Sequence, residues 1–191
     1  MIQTFFIIIL VIVILNYLLE RFLEYLNLSR MTEELPTELG GIYDPERYKK
    51  SQQYLKAKQR FSLVTSTLTF AAVLAMLMSG GFGWLDFLFR DITSHPVWLA
   101  LLFFGSLGLA SSLLTIPFEL YSVFVIEEKF GFNTMTLKTF ILDKLKGWLL
   151  AGVIGGGLLA LVTFIYITAG SWFWLLVWGI ITVFLVFMTM F

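Results

Sequence analysis

Four stretches of this chain carry no Asp, Glu, Lys or Arg: residues 1–19, 61–85, 92–118 and 147–191. A helix that crosses a hydrocarbon layer needs about 20 mainly apolar residues, and a charged side chain inside that layer is expensive. Each run meets or approaches that length. Hydrophobic residues make up 59% of the 191-residue chain and charged ones 14%, the latter about half the usual share of a soluble domain. A soluble fold of this composition has too little polar surface to cover its core. The chain therefore reads as an all-α integral membrane protein whose first partner is the lipid bilayer. Its zero net charge gives nucleic acid no electrostatic hold, and no nucleic-acid partner is expected.

Turn chemistry divides the apolar runs into five spans within a single membrane domain over residues 1–191. The first, about 3–23, has Asn16 as its one strongly polar interior residue. It lacks the basic start and small-residue cleavage site of a removable leader, and is expected to be retained. Residues 28–43, with Pro36 and the Gly40-Gly41 pair, read as an irregular connection. Asp44-Pro45-Glu46 then combines an N-cap carboxylate, proline in the first turn and an acid beside it, a strong helix start. No breaker follows before Ser79. At ~1.5 Å per residue that helix is ~50 Å long, against a hydrocarbon core of ~30 Å. Its first turns, with Arg47, Lys49, Lys50, Lys56, Lys58 and Arg60, must project into water, leaving 61–79 as the second span.

Gly80, Gly81 and Gly83 are expected to close that helix, and a short loop with Asp86, Arg90, Asp91 and His95 to lead to Pro96. The third span, 97–118, is expected to kink at Pro117, where proline removes a backbone bond. Helix then resumes from Glu119 to Glu128 and ends at Gly131, with Asn133 or Thr134 expected to cap the next. Residues 147–191 form 45 residues without a charge, ~67 Å as one helix and over twice the membrane thickness. They must fold back at Thr168-Ala169-Gly170-Ser171, giving spans 148–168 and 172–191. Eight of the 13 basic residues lie in 20–60 and four in 119–146. The positive-inside rule makes loops 24–60 and 119–147 cytoplasmic, with the N-terminus outside and the C-terminus inside. The final FLVFMTMF has no polar residue to mark a membrane boundary, so more protein is expected beyond it on the cytoplasmic side.

Few residues suit chemistry. One histidine and no cysteine cannot supply the usual ligands of a catalytic zinc. His-Glu-x-x-His, Gly-x-Ser-x-Gly and the Walker phosphate loop are all absent. The chain alone is expected to hold no catalytic residue, metal or cofactor, and to be inactive as an enzyme. Glu119, a carboxylate near the inner end of an apolar helix, is either functional or placed beyond the hydrocarbon edge facing water. Asn16 reads as packing glue or as a polar clasp between helices. Gly152, Gly156 and Ala160 recur every four residues, a small-residue stripe for close helix packing.

The stretch PFELYSVFVIEEKFGFNTMTLKTFILDKLKG (117–147) resembles the signature segment of the type I CAAX prenyl proteases, membrane-embedded zinc metallopeptidases. LPTEL (35–39) and YDPERYKKSQQYLKAKQRF (43–61) resemble that family's first cytoplasmic loop and its entry to the second span. The resemblance is to the N-terminal membrane domain. It implies a cage of helices around a chamber, with the zinc and its protease domain beyond residue 191 in a full-length protein. It also implies prenylated or membrane-protein substrates, and residence in the inner membrane of a bacterium or the endoplasmic reticulum membrane of a eukaryote.

No catalytic residue is carried over by the resemblance. Glu119, Glu127, Glu128, Lys129, Gly131, Asn133, Thr136, Asp143 and Lys146 are its signature positions and candidates for docking the protease domain. Gly131, between two aromatic residues, is expected to take a positive φ. Glu127 and Glu128 end a helix, where its dipole disfavours negative charge, so a basic partner or backbone donor elsewhere is expected to hold them. Two other readings stand beside this one. A self-contained carrier or channel would need paired intramembrane charges or helices broken at midplane, for which only the Pro117–Glu119 neighbourhood qualifies. The second is a non-enzymatic membrane assembly factor.

Overall fold

The computed structural model describes residues 2–35, 41 and 44–190; the expectations placed on Pro36, Gly40 and most of LPTEL lie outside them. Among the described residues the longer elements are six helices. They are α1 (Ile2–Arg30), α2 (Pro45–Met78), α3 (Gly81–Ile92), α4 (Pro96–Phe130), α5 (Leu137–Thr168) and α6 (Phe173–Met190). All except α3 belong to the five helices long and apolar enough to cross a membrane. The chain is an all-helical, multi-pass membrane protein.

Lipid exposure shows in the packing. Only Phe89, Ile126, Phe140 and Ile165 are buried among the described residues, while large apolar side chains stand exposed along every span. In water such a surface would be penalised by about 25 cal/mol per Å²; in hydrocarbon it is the favoured exterior. Hydroxyls in the spans bond their own helices, as the low dielectric requires. Ser66 Oγ donates to the Ser62 carbonyl at 2.6 Å and Thr69 Oγ1 to that of Thr65 at 3.0 Å.

Several boundaries fall where the sequence puts them. The Asp44 carboxylate accepts from the Glu46 N–H at 2.9 Å, capping α2. Gly80 follows the end of α2 with φ 71°. Gly170 takes φ 53° in the turn between α5 and α6.

Other boundaries differ. α1 continues seven residues past 23, to Arg30, because its charges serve one another along the helix. Arg21 pairs with Glu24 and lies 5.4 Å from the centre of the Tyr17 ring. The supposed loop after Gly80 is the helix α3, in which Asp86 and Arg90 form an i,i+4 ion pair of 2.7 Å. Pro117 does not interrupt α4. The proline forfeits only the bond to the carbonyl four residues back, that of Leu113, and the helix continues on its remaining bonds. The irregularity lies further on, where Ser122–Glu127 widens into π-helical turns before Glu128–Phe130 closes α4. A second π-helical stretch, Ala151–Gly155, lies within α5.

The chain divides into two compact units, Met1–Phe82 with Ser112–Met135, and Gly83–Ser111 with Thr136–Phe191. In the first, α1 meets α2 through a stack of Tyr17 on Phe70, with centroids 4.0 Å apart and planes 9° apart, and through a 2.8 Å bond between Tyr17 Oη and Thr67 Oγ1. Further along α2, Phe61 packs at 4.8 Å from the Tyr121 ring of α4. In the second unit, α5 and α6 line an almost wholly apolar groove of about 570 Å³. Gly156 of α5 approaches Leu101 of α4: a Cβ built on it would lie 3.7 Å from Leu101 Cδ2.

Along the expected stripe of Gly152, Gly156 and Ala160, the close approach within this chain is at Gly156. A Cβ on Gly152 would meet nothing within 4 Å. The π-helical residues 151–155 break the four-residue repeat that would align the two glycines.

Candidate functional site

The signature segment at the end of α4 forms a clasp onto the N-terminal half of α2. Its backbone closes first. Gly131 takes φ 72°, its N–H bonds the Glu128 carbonyl at 3.0 Å, and the Phe132 N–H reaches back to the Glu127 carbonyl at 2.9 Å. This pair of bonds around a left-handed residue is the Schellman closure. Glycine adopts that conformation without the Cβ clash, whereas Phe130 or Phe132 would incur it. The expectation for Gly131 holds.

That turn throws Phe130 and Phe132 onto Tyr54 of α2. The Tyr54 ring lies 5.7 Å from Phe130 in an edge-on arrangement and 4.7 Å from Phe132. Above the rings, Glu127 Oε1 accepts from Tyr54 Oη and from Lys58 Nζ, each at 3.3 Å, and Lys58 also donates to Tyr54 Oη at 3.1 Å. Glu127 keeps 24% of its side-chain exposure and Lys58 49%, so water screens the pair in part. Glu128 accepts from Asn133 Nδ2 at 2.8 Å, and Asn133 Oδ1 takes the Met135 N–H at 2.8 Å.

Both carboxylates therefore find partners inside the chain. The expectation of a basic partner elsewhere is met for Glu127 by Lys58, and an external partner is no longer needed to explain either acid. Asn133 organises the turn and does not cap the next helix. Thr136 does so, its Oγ1 accepting the Thr139 N–H at 3.2 Å. Lys129 extends over the Phe130 ring at 5.8 Å. Asp143 and Lys146 form an exposed i,i+3 pair of 3.8 Å on α5.

Beside the clasp, within the same unit, lies an open cavity of about 750 Å³ between α1, α2 and α4. Glu119 lines it, as do Asn16, Glu20, Lys58 and the Ser62, Thr65, Ser66 and Thr69 hydroxyl face of α2. Ile12, Phe70 and Phe118 supply apolar wall. Asn16 does not clasp a neighbouring helix; its Nδ2 donates to Glu20 Oε1 one turn away at 3.0 Å. Between α1 and α2 the polar contact is the Tyr17–Thr67 bond, which sequence reading passes over because tyrosine and threonine are ordinary span residues.

Tyr54 and Lys58 were missed as clasp partners for a similar reason. Their i,i+4 spacing shows that they share a helix face, and nothing local says which later segment that face meets. Glu33 is held from α2 as well: Gln53 Nε2 donates to it at 3.0 Å and Lys56 Nζ at 3.2 Å. The Gln53 bond first, then Lys56, pulls the Glu33 carboxyl below its ordinary range.

Five long helices with an apolar exterior, a mainly apolar cavity carrying a few polar and charged groups, and no cluster of metal-binding side chains among the described residues define a polytopic membrane domain. Residues 24–191 match the family model for the CAAX prenyl protease N-terminal domain with five membrane helices, and the chain belongs to that family. It is 35% identical over 181 residues to a probable CAAX prenyl protease 1 of Schizosaccharomyces pombe, covering 88% of this chain and 37% of the relative. The Homo sapiens CAAX prenyl protease 1 homolog is 30% identical over 171 residues, covering 85% of this chain and 36% of that protein. Among solved structures, S. mikatae Ste24p matches with a TM-score of 0.82 at 30% identity, over 91% of this chain and 42% of that one. The chain thus spans well under half the length of these relatives.

Proposed function

We propose that this chain is the membrane portion of a CAAX prenyl protease-like zinc metalloendopeptidase, and that it forms one wall of a helical substrate chamber and seats the protease domain. The match over residues 24–191 to the N-terminal domain of these proteases carries the reading. The cavity of the first unit supports it with an open space between α1, α2 and α4, mainly apolar and edged by Asn16, Glu20, Lys58 and Glu119. Prenylated or membrane-protein substrates, and the endoplasmic reticulum or bacterial inner membrane as location, are proposed on the same likeness. So are an external N-terminus and a cytoplasmic C-terminus, from the distribution of basic residues.

Zinc does not fit the donors present. One histidine and no cysteine fall short of a three-ligand site, and no group of three or more His, Cys, Asp or Glu gathers among the described residues. The metal and the bond-breaking residues are assigned to a domain beyond residue 191. In this reading the clasp sets the direction in which the chain leaves α4, so that residues 127–136 present a fixed edge to the protease domain. The docking role rests on the hydrogen-bonded closure of the turn, since both acids are satisfied within the chain.

The test is co-expression of this chain with the remaining C-terminal part of the S. pombe relative. Co-purification and zinc-dependent cleavage of a prenylated CAAX peptide are expected. Failure to assemble, while the relative's own N-terminal part supports cleavage, would overturn the proposal. Glu127→Gln with Glu128→Gln in the assembled enzyme should lower cleavage by about tenfold, or about 1.4 kcal/mol.

A further inference from the structure

We infer that α3 is an interfacial helix, lying along the bilayer surface with Trp84, Leu88 and Ile92 in lipid and the Asp86–Arg90 pair in the headgroup water. Its twelve residues extend ~18 Å at ~1.5 Å each, too short to cross ~30 Å of hydrocarbon. Neither can it leave the membrane boundary. Only Ser79 and Gly80 separate it from α2, and only residues 93–95 separate it from α4, both of them spans. Three residues reach about 10 Å at most.

The side chains divide into three faces. Phe89 is buried and Leu85 half-buried, so one face packs inward. Trp84, Leu88 and Ile92 recur every four residues and stand 63%, 41% and 67% exposed. Asp86 and Arg90, bonded at 2.7 Å, lie about half a turn around the helix from Leu88 at ~100° per residue. An apolar strip opposite a paired, charged one is the pattern of a helix in the plane of a membrane. Tryptophan suits that level, its ring apolar and its N–H polar. Asp91 and the exposed Phe87 lie between the strips, at the headgroup boundary. Lipid is the occupant because residues 93–95 lead directly into α4, a span of membrane length whose Trp98 and Phe104 likewise stand exposed.

The chain has no cysteine, so single cysteines replacing Trp84, Asp86, Leu88 and Arg90 can each carry one spin label. With the whole chain in phosphatidylcholine vesicles, oxygen should collide with labels at 84 and 88 several-fold more effectively than a water-soluble nickel chelate. The order should reverse at 86 and 90. Nickel reaching 84 and 88 as freely as 90 would place the helix in water and overturn the inference. Shielding of all four from both reagents would show protein covering the strip, and would overturn it too. Should Trp84→Cys disturb folding, the Leu88 label still decides, and brominated-lipid quenching of tryptophan fluorescence should fall in Trp84→Phe.

Discussion

Glu127 is the residue on which the clasp can be measured. Its carboxylate takes two donors at 3.3 Å, Tyr54 Oη and Lys58 Nζ. Both are long for bonds to a charged acceptor, and Lys58 is half exposed. A pair in that setting contributes about 0.5–1 kcal/mol after screening. A hydroxyl bond to a carboxylate at this length belongs at the lower end, about 1 kcal/mol. Glu127→Gln should therefore lower stability by about 1–2 kcal/mol. For a chain of this size that is a fall in Tm of roughly 3–6 °C. The assay is thermal unfolding in a mild non-ionic detergent, run as two double-mutant cycles, Lys58→Met with Glu127→Gln and Tyr54→Phe with Glu127→Gln.

Each cycle should give a coupling of about 0.5–1 kcal/mol. The lysine coupling should shrink in 0.5 M salt, where the screening length falls to about 4 Å, while the tyrosine coupling persists. Tyr54→Ala should cost more, about 2–4 kcal/mol, because it also removes the ring against Phe130 and Phe132. Couplings below about 0.3 kcal/mol in both cycles would show that Glu127 is solvated and that aromatic packing alone holds the turn.

Gly131→Ala should destabilise by about 1–2 kcal/mol through its positive φ, since the new methyl meets only Lys50 Nζ at an ordinary 3.6 Å; unchanged unfolding would mean the turn relaxes. Gly156→Leu should lose about 1–3 kcal/mol by overpacking against Leu101, whereas Gly152→Leu, with open space around it, should be neutral or slightly stabilising in the same detergent melt. Glu33 binds its proton less readily in the folded chain than in the unfolded one, so its contribution is complete above the ordinary carboxylate range. It is lost as pH falls below that range, through the depressed folded value. Loss of amide protection across residues 31–35 on acidification, measured against the intrinsic exchange rate at each pH and abolished in Glu33→Gln, is the expected signature. Single cysteines at Ser51 and Ser94 should label from opposite faces of sealed vesicles, and labelling from one face would refute the proposed topology.

By itself the sequence determined that this chain is a five-span helical membrane protein, where its main helices begin and turn, and to which family it belongs. Those properties follow from quantities that are local along the chain. A charge-free run of membrane length, an Asp-Pro-Glu start or a glycine between two phenylalanines acts within a few residues, and its free energy depends little on the rest of the fold. Only the tertiary structure decided where the polar groups find partners. Glu127 looked stranded at a helix end because Tyr54 and Lys58 lie about 70 positions away, and no periodicity connects the two. Pro117 looked like a kink because sequence reading counts the lost backbone bond and cannot see how the helix around it absorbs the loss. The 80–95 segment looked like a loop because four polar residues interrupt it; as a helix, Asp86 meets Arg90 and the apolar residues gather on other faces. Glu119, which the sequence leaves between a functional role and a place facing water, lines a cavity once α1 and α2 stand beside it. Long-range pairing depends on which faces the chain brings together, and that choice belongs to the packed helices.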